Sequence, residues 1–420
     1  MKDTDRNGNT EKKKPELLIP AGSLEVLKTA VMFGADAVYI GGETYGLRAK
    51  AKNFDRDEMA EGIAFAHSHG VKVHVTANIL AHNEDLKGAR SYFKELSELK
   101  PDALIIADPG MFSLAREICP DIDIHVSTQA NNTNYLTCNF WYKQGAKRVV
   151  AARELSLAEI KEIKEHIPKD MEIECFIHGA MCISYSGRCL LSSFLAGRDA
   201  NRGECTHPCR WKYTLMEEKR EGEYFPVFEN DRGTYIFNSK DLCMIEHLPD
   251  LIDAGIDSFK IEGRMKTALY VATVARTYRM AIDDLFESEE KYRSNLDLYR
   301  SEISKCTYRQ FTTGFYYGKP DENDQIYDNN TYIREYTYLG TVYAVENGRI
   351  LTEQRNKFCV NDIIEVMKPG GENVKVKVVS IQDEDGNEME SAPHSKQTLS
   401  VLTEPPAAAV CDILRVKEDG

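Results

Sequence analysis

The 420-residue chain carries 53 Lys and Arg against 67 Asp and Glu, a formal charge of −14, and is 42% apolar, enough to bury one large core and a smaller one. That balance excludes a protein coated in positive potential, so any nucleic-acid partner has to meet a local basic patch. No run of about eighteen apolar residues occurs and the opening MKDTDRNGNTEKKKP is charged, so no membrane span or secretory leader is expected. The expected location is the cytoplasm, with residues 1–14 as a disordered tail.

From Glu16 onward a β-branched run, a polar turn and a helix-period stretch alternate. The predicted strands are ELLIPA (16–21), AVYIG (37–41), KVHVTAN (72–78), ALIIAD (103–108), DIHVST (123–128), RVVAAR (148–153), EIECFIHG (172–179) and SFKIEG (258–263). Helix ends between them are legible: Ser23 is an N-cap before LEVLKTAVMF with Gly34 closing the helix, and Ser156 with Glu159 forms an S-x-x-E capping box. Eight such units predict an α/β fold, a closed (β/α)8 TIM-like barrel over residues 15–285. Its parallel strands, covered by helices outside, read as near-continuously apolar. An open doubly wound sheet is the alternative, but IPAGSLE after the first strand is not the G-x-G-x-x-G turn such sheets carry.

The spacing breaks after strand seven, where a cysteine-rich insertion (180–238) precedes a predicted helix, SKDLCMIEHLPDLIDAG (239–255), with Ser239 as its N-cap. The later part of the insertion, WKYTLMEEKREGEYFPVFENDRGTYIFN, reads as strands joined by polar turns. A helix near 265–284 follows, then a connector over 286–330. Residues 331–420 turn to short alternating strands, predicting a small C-terminal β-barrel with no catalytic motif.

Eleven cysteines, an odd number unevenly spaced, argue against a disulfide framework in a reducing compartment. Cys182, Cys189, Cys205 and Cys209 lie in the insertion and Cys243 in the first turns of the returning helix, so both ends converge on the rim where barrel enzymes place their chemistry. Gathered thiolates need a cation, either zinc or an iron–sulfur cluster. The spacing C-x6-C, fifteen residues, C-x3-C is looser than zinc knuckles and leans towards a cluster, with zinc and unrelated redox or buried thiols left open. Cys119, Cys138, Cys175, Cys306, Cys359 and Cys411 stand singly and are expected to be packing residues.

Polar side chains collect at the predicted strand ends: Arg153 and Glu154 after strand six, His178 after seven, Glu262 and Arg264 after eight, with Asn78, Asp108 and Gln129 closing strands three, four and five. These are the candidates for chemistry, although Arg153 with Glu154 also reads as a rim ion pair and His178 as a donor to a carbonyl. In the insertion Arg198, Arg202, Arg210 and Lys212 surround Trp211 against only Asp199 and Glu204. That grouping suits phosphate contact with base stacking, and equally a solvated loop around a core tryptophan.

ECFIHGAMCISYSGRCLLSS (174–193), N-R-G-x-C-x-x-P-C-R (201–210), SKDLC (239–243), FKIEGRMK (259–266) and TTGF (312–315) together resemble the peptidase U32 family, most of all the bacterial members that act in tRNA hydroxylation. The resemblance runs from about Pro15 to the end of the chain. It implies a 4Fe-4S cluster on Cys182, Cys189, Cys205 and Cys243, with Cys209 as the rival fourth ligand; Arg153, Glu154, His178, Glu262 and Arg264, picked out by their places at the strand ends, are the expected catalytic residues. It further implies oxygen-independent C5 hydroxylation of the wobble uridine of tRNA to 5-hydroxyuridine, with prephenate or a related small dicarboxylate as the linked donor and a second family member as a partner subunit. Such chemistry needs a rim that accepts a flipped-out base and cations for a dicarboxylate. The family name implies a second function, a collagenase-like peptidase, yet the sequence lacks H-E-x-x-H, G-x-S-x-G and a Cys/His pair in a familiar setting. A third reading is a zinc-stabilised non-enzymatic RNA-binding or interaction module.

Overall fold

A computed structural model describes residues 13–47, 53–182, 189, 191–198, 200–206, 208, 228–230, 233–235, 240–320 and 332–418. Strands β1 (Glu16–Pro20), β2 (Ala37–Gly41), β3 (Lys72–Ala77), β4 (Ala103–Ile106), β5 (Asp123–Val126), β6 (Arg148–Val150) and β7 (Glu172–Ala180) pair in chain order, all parallel. Strand Ser258–Ile261 pairs in parallel with both β7 and β1 and closes the ring. The expected eight-stranded barrel is therefore present.

Most strands stop one to three residues short of the sequence expectation, because the polar residues at their ends belong to the next element. Asp108 leaves β4 and accepts from the Met111 backbone at 2.9 Å, capping helix Pro109–Ile118, whose first position is a proline. Ser127 does the same for the short turn Thr128–Ala130. The helix ends read from sequence hold: Ser23 caps Leu24–Met32, Gly34 follows at φ +104°, and the Ser156/Glu159 box is reciprocal.

Two expectations are corrected. The first concerns residues 239–255, which are not one helix: Asp241–Cys243 is a strand antiparallel to β7, with Cys243 opposite His178, and the helix is Leu248–Asp253. Pro249 explains the break, since a proline is accepted only in a helix's first turn. Asp241 also sits in a buried ion pair with Arg309 at 2.7 Å, which fixes this strand beside Phe311–Thr312. Cys243 thus lies on a strand, and the proposed cap Ser239 lies outside the described residues.

The second correction concerns the barrel strands, which are apolar on their outer face but mixed on the inner one, where Leu18, Ala37, Tyr39 and Ile105 form a small apolar cluster beside charged groups. Val38, Ile40, Val73, Val75, Leu104, Ile106, Ile124 and Val126 pack outward against helices. Glu16, His74, His125, Arg148, Glu174 and Lys260, all on barrel strands, are buried or nearly so.

The long helix Ala268–Glu287, capped by Thr267, is buried on several sides because it packs on β1, on helix Leu24–Met32 and on the C-terminal strand Ile413–Lys417. Helices Glu289–Ser294 and Leu296–Ile303 follow, and Phe228–Asn230 with Gly233–Tyr235 form the antiparallel hairpin expected in the insertion. Tyr336–Glu346, Arg349–Glu353, Ile363–Met367, Val374–Gln382, Thr398–Glu404 and Ile413–Lys417 form an antiparallel C-terminal barrel, closed because Ile363–Met367 pairs on both sides. It has its own core, including Val342, Ile364, Val378, Val401 and Leu414. Glu302 anchors it to the larger barrel, taking Arg276 at 2.7 Å and lying 3.7 Å from Arg415. Among the described residues no helix is long and apolar enough to cross a membrane.

Candidate active site at the barrel mouth

Arg153 leaves β6 and turns over the C-terminal end of the ring. Its Nη1 donates to the Ala180 carbonyl at 3.1 Å, its Nη2 to Glu262 Oε2 at 3.1 Å, and its guanidinium carbon lies 4.0 Å from the Phe176 ring centroid. A rim ion pair is therefore made by Arg153 with Glu262, from across the chain. Glu262 is itself set by its backbone N–H, which donates to the His178 carbonyl at 2.8 Å.

Arg264 is buried and crosses to the opposite wall. Its Nη1 donates to Thr76 Oγ1 at 2.8 Å and its Nη2 to the Leu47 carbonyl. Thr76 Oγ1 donates to the Ile40 carbonyl at 3.0 Å, which turns its lone pairs towards the guanidinium. Asn78 accepts from the Leu47 backbone at 3.1 Å and donates to Ser127 Oγ at 3.4 Å, tying the loops after β2, β3 and β5 together. Gln129 is half-buried in the turn after β5, and Asp108 is occupied as a helix cap. Two guanidinium groups with fixed directions at one mouth suit planar, bidentate recognition of carboxylate or phosphate.

His178 is almost fully buried among aromatic rings. Tyr278, Phe311 and Tyr270 stand 5.5, 5.8 and 6.1 Å away by centroid, and its Nδ1 is 3.4 Å from Tyr278 Oη. Burial pushes its pKa down to about 4, with Asp241 opposing, so the ring is neutral at physiological pH.

Cys189 and Cys205 share one neighbourhood. Ser192 Oγ lies 3.8 Å from Cys205 Sγ and accepts from the Thr206 backbone at 3.1 Å, while Asn201 Nδ2 donates to the Cys189 carbonyl at 3.3 Å. The Leu80 backbone donates to the Asn201 carbonyl at 3.2 Å, so this group is fastened to the loop after β3. Cys182 is exposed just beyond β7, and Cys243, opposite His178, has its Sγ 3.9 Å from Tyr278 Oη. Among the described residues no three sulfurs lie within 4.8 Å of one another. Cysteine thiolates are a donor set that either zinc or an iron–sulfur cluster accepts.

Arg198 is exposed, as a phosphate contact requires. Cys209, Arg210, Trp211, Lys212 and the Arg202 side chain lie outside the described residues. Of the six cysteines expected to pack, Cys119, Cys138, Cys175 and Cys306 are buried, while Cys359 and Cys411 are only half-buried in the C-terminal barrel.

Sequence reasoning missed the lumen beneath the mouth. Arg148 donates to Glu16 at 2.6 Å, Glu172 at 2.6 Å and Glu174 at 3.0 Å, and Lys260 donates to Glu174 at 2.6 Å. For Glu16, burial raises the pKa but Arg148 outweighs it, leaving the carboxyl at about 2. Each buried ion costs several kcal/mol, roughly, to desolvate, so such a network persists only when its members are multiply paired. Phe176 roofs it, with Lys260 5.4 Å from the ring and Arg153 at 4.0 Å. The signal was in the strands, where KVHVT, DIHV, EIEC and SFKI put a polar residue at alternate positions. A separate cavity of about 690 Å³ lies in the seam between the two barrels, lined by Ser23, Glu25, Thr267, Tyr338 and Arg355 among others.

Comparison with known proteins agrees with the geometry. The model of peptidase family U32 matches residues 22–326, and that of the peptidase family U32 C-terminal domain matches residues 334–415. The chain is 43% identical over 387 residues to tRNA hydroxylation protein P1 of Bacillus subtilis (strain 168), covering 92% of this chain and 91% of that protein. It is 38% identical over 427 residues to tRNA hydroxylation protein P of Escherichia coli (strain K12), covering 92% and 93%. It is also 39% identical over 272 residues to the 23S rRNA 5-hydroxycytidine C2501 synthase of Escherichia coli (strain K12), covering 65% of this chain and 40% of that protein. With both of its barrels matched, the chain belongs to peptidase family U32.

Proposed function

We propose that this chain is an RNA-modifying enzyme that hydroxylates C5 of the wobble uridine of tRNA, giving 5-hydroxyuridine without molecular oxygen. The observation that carries the reading is the match along nearly the whole chain to proteins named for tRNA hydroxylation. The rRNA synthase relative, named for hydroxylating a pyrimidine of another RNA, supports the same reaction class.

Replacing C5–H by C5–OH is a two-electron oxidation that needs an oxygen donor and an electron acceptor. In this reading the mouth takes the donor and the thiols carry the electron path to an acceptor. Arg153 and Arg264 are the cations that bind prephenate or a related small dicarboxylate, with Glu262 holding Arg153 in direction and Glu154 as the carboxylate that takes the C5 proton. Neutral His178 stiffens the wall behind them. Cys182, Cys189 and Cys205 would hold a 4Fe-4S cluster with Cys243 or Cys209 as the fourth thiolate, and that group supplies electron transfer when bound. Arg198, Arg202, Arg210, Trp211 and Lys212 form the basic and aromatic segment proposed to meet the anticodon arm.

The test is deletion of the gene followed by mass spectrometry of tRNA nucleosides. Loss of 5-hydroxyuridine derivatives, restored by the intact gene, is the expected result. An unchanged nucleoside profile overturns the proposal.

A further inference from the structure

Beneath Phe176 the lumen brings together groups that the mouth does not use. One ring nitrogen of His74 from β3, one of His125 from β5 and a carboxylate oxygen of Glu174 from β7 lie within 4.8 Å of one another, and all three residues are buried. They are on alternate strands of the ring, which is how a closed barrel converges side chains into one layer. We propose that this layer binds a divalent transition-metal ion through His74, His125 and Glu174, a site distinct from the thiols.

Three independent features support it. Two imidazoles and one carboxylate are a donor set suited to zinc or iron(II). The Nδ1 atoms of both histidines are buried with no hydrogen-bond partner among the described residues, which is unusual for buried polar groups and is relieved if the rings turn a lone pair to a cation. The rings stand edge to face with centroids 4.7 Å apart, so a small shift of either lets both nitrogens address one ion.

The neighbouring cations do not forbid it. Lys260 and Arg148 each take one oxygen of Glu174, and a ligating carboxylate is ordinarily held by such outer hydrogen bonds while keeping a second lone pair for the metal. Glu16, Glu172 and Glu174 are paired by Arg148 and Lys260, and also by Lys72 on Glu16 at 3.6 Å and Lys13 on Glu172 at 3.7 Å, so the ion is held by its own donors rather than by an excess of negative charge. Phe176 and Arg153 separate the layer from the mouth. The ion therefore serves as a core ligand of the barrel.

The probe is cobalt(II) added to the full chain in which Cys182, Cys189, Cys205, Cys209 and Cys243 are replaced by serine, which removes the clustered thiols, while sulfur-to-cobalt charge-transfer absorption would report binding by any of the six that remain. Native near-UV circular dichroism is required first. One equivalent bound with the d–d absorption of nitrogen and oxygen ligation, together with a rise in melting temperature, is expected. His125→Gln and His74→Gln should each weaken binding by about 10-fold or more, by analogy with the losses seen when metal-site partners are removed. No d–d band and no rise in melting temperature in the parent, or equal binding by parent and any folded histidine variant, overturns the site. The outcome is independent of tRNA modification, since the readout needs neither the cluster nor the substrate.

Discussion

The guanidinium of Arg264 fills the space that a Cβ on Gly41 would need, the built atom falling among Nη1, Cζ and Thr76 Oγ1. Gly41 ends β2 without a positive φ, so its small size is used for this close approach rather than for conformational freedom. Gly41→Ala should therefore destabilise the barrel by about 1–3 kcal/mol through overpacking and displace the mouth cation, lowering RNA hydroxylation. In an Arg264→Ala background the same Gly41→Ala should cost much less, because the clash is gone. Urea denaturation of the four proteins measures the coupling. Equal costs in both backgrounds would mean that the guanidinium is not what Gly41 makes room for.

This pair marks the limit of what the sequence made legible. Eight βα units, the caps at Ser23 and Ser156 and the C-terminal barrel followed from local pattern, because periodicity and capping are short-range physics. The partner of Arg153 did not: Glu262 is brought to it by ring closure, which no local window reports. Residues 239–255 misled for a different reason, since SKDLCMIEHL has acceptable helix propensity and the tertiary pairing with β7 and Phe311–Thr312 outvotes it. The charged lumen was written at alternate positions in the strands. It went unread because a parallel barrel interior is ordinarily filled by branched aliphatic side chains.

The placement of Cys243 bears on which thiolate would be the fourth in the proposed cluster. Its strand partner is His178, whose ring packs among Tyr270, Tyr278 and Phe311, and its own sulfur faces the Tyr278 hydroxyl, whereas Cys189 and Cys205 are bound to one another's surroundings through Ser192, Thr206 and Asn201 near the loop after β3. Anaerobically purified Cys182→Ser, Cys189→Ser, Cys205→Ser and Cys209→Ser should each lose most of the bound iron and the broad visible absorption, while Cys243→Ser keeps both. Iron and acid-labile sulfide assays decide it. Full iron in Cys209→Ser with none in Cys243→Ser would return the fourth position to Cys243.

The junction between the two barrels should be acid-sensitive through Glu302. Burial pushes its carboxyl up, but Lys305, Arg276 and Arg415 together outweigh burial and hold the pKa below the ordinary value of 4.5. Arg276 spans the junction as well, donating to Glu302 at 2.7 Å, to the Lys368 carbonyl at 2.8 Å and to Asn373 at 2.7 Å. A carboxylate held more acidic in the fold than in the unfolded chain stabilises fully above the unfolded pKa, and that stabilisation is lost as the pH falls through the folded one. Glu302→Gln should thus lower stability at neutral pH by about 1–3 kcal/mol, the range for hydrogen bonds to charged groups, seen as a drop of a few degrees in melting temperature. The gap between variant and parent should narrow steadily below about pH 4, as the parent's own carboxyl takes up its proton. A gap as wide in acid as at neutrality would assign the loss to packing, and the charge of Glu302 would have no part in holding the C-terminal barrel in place.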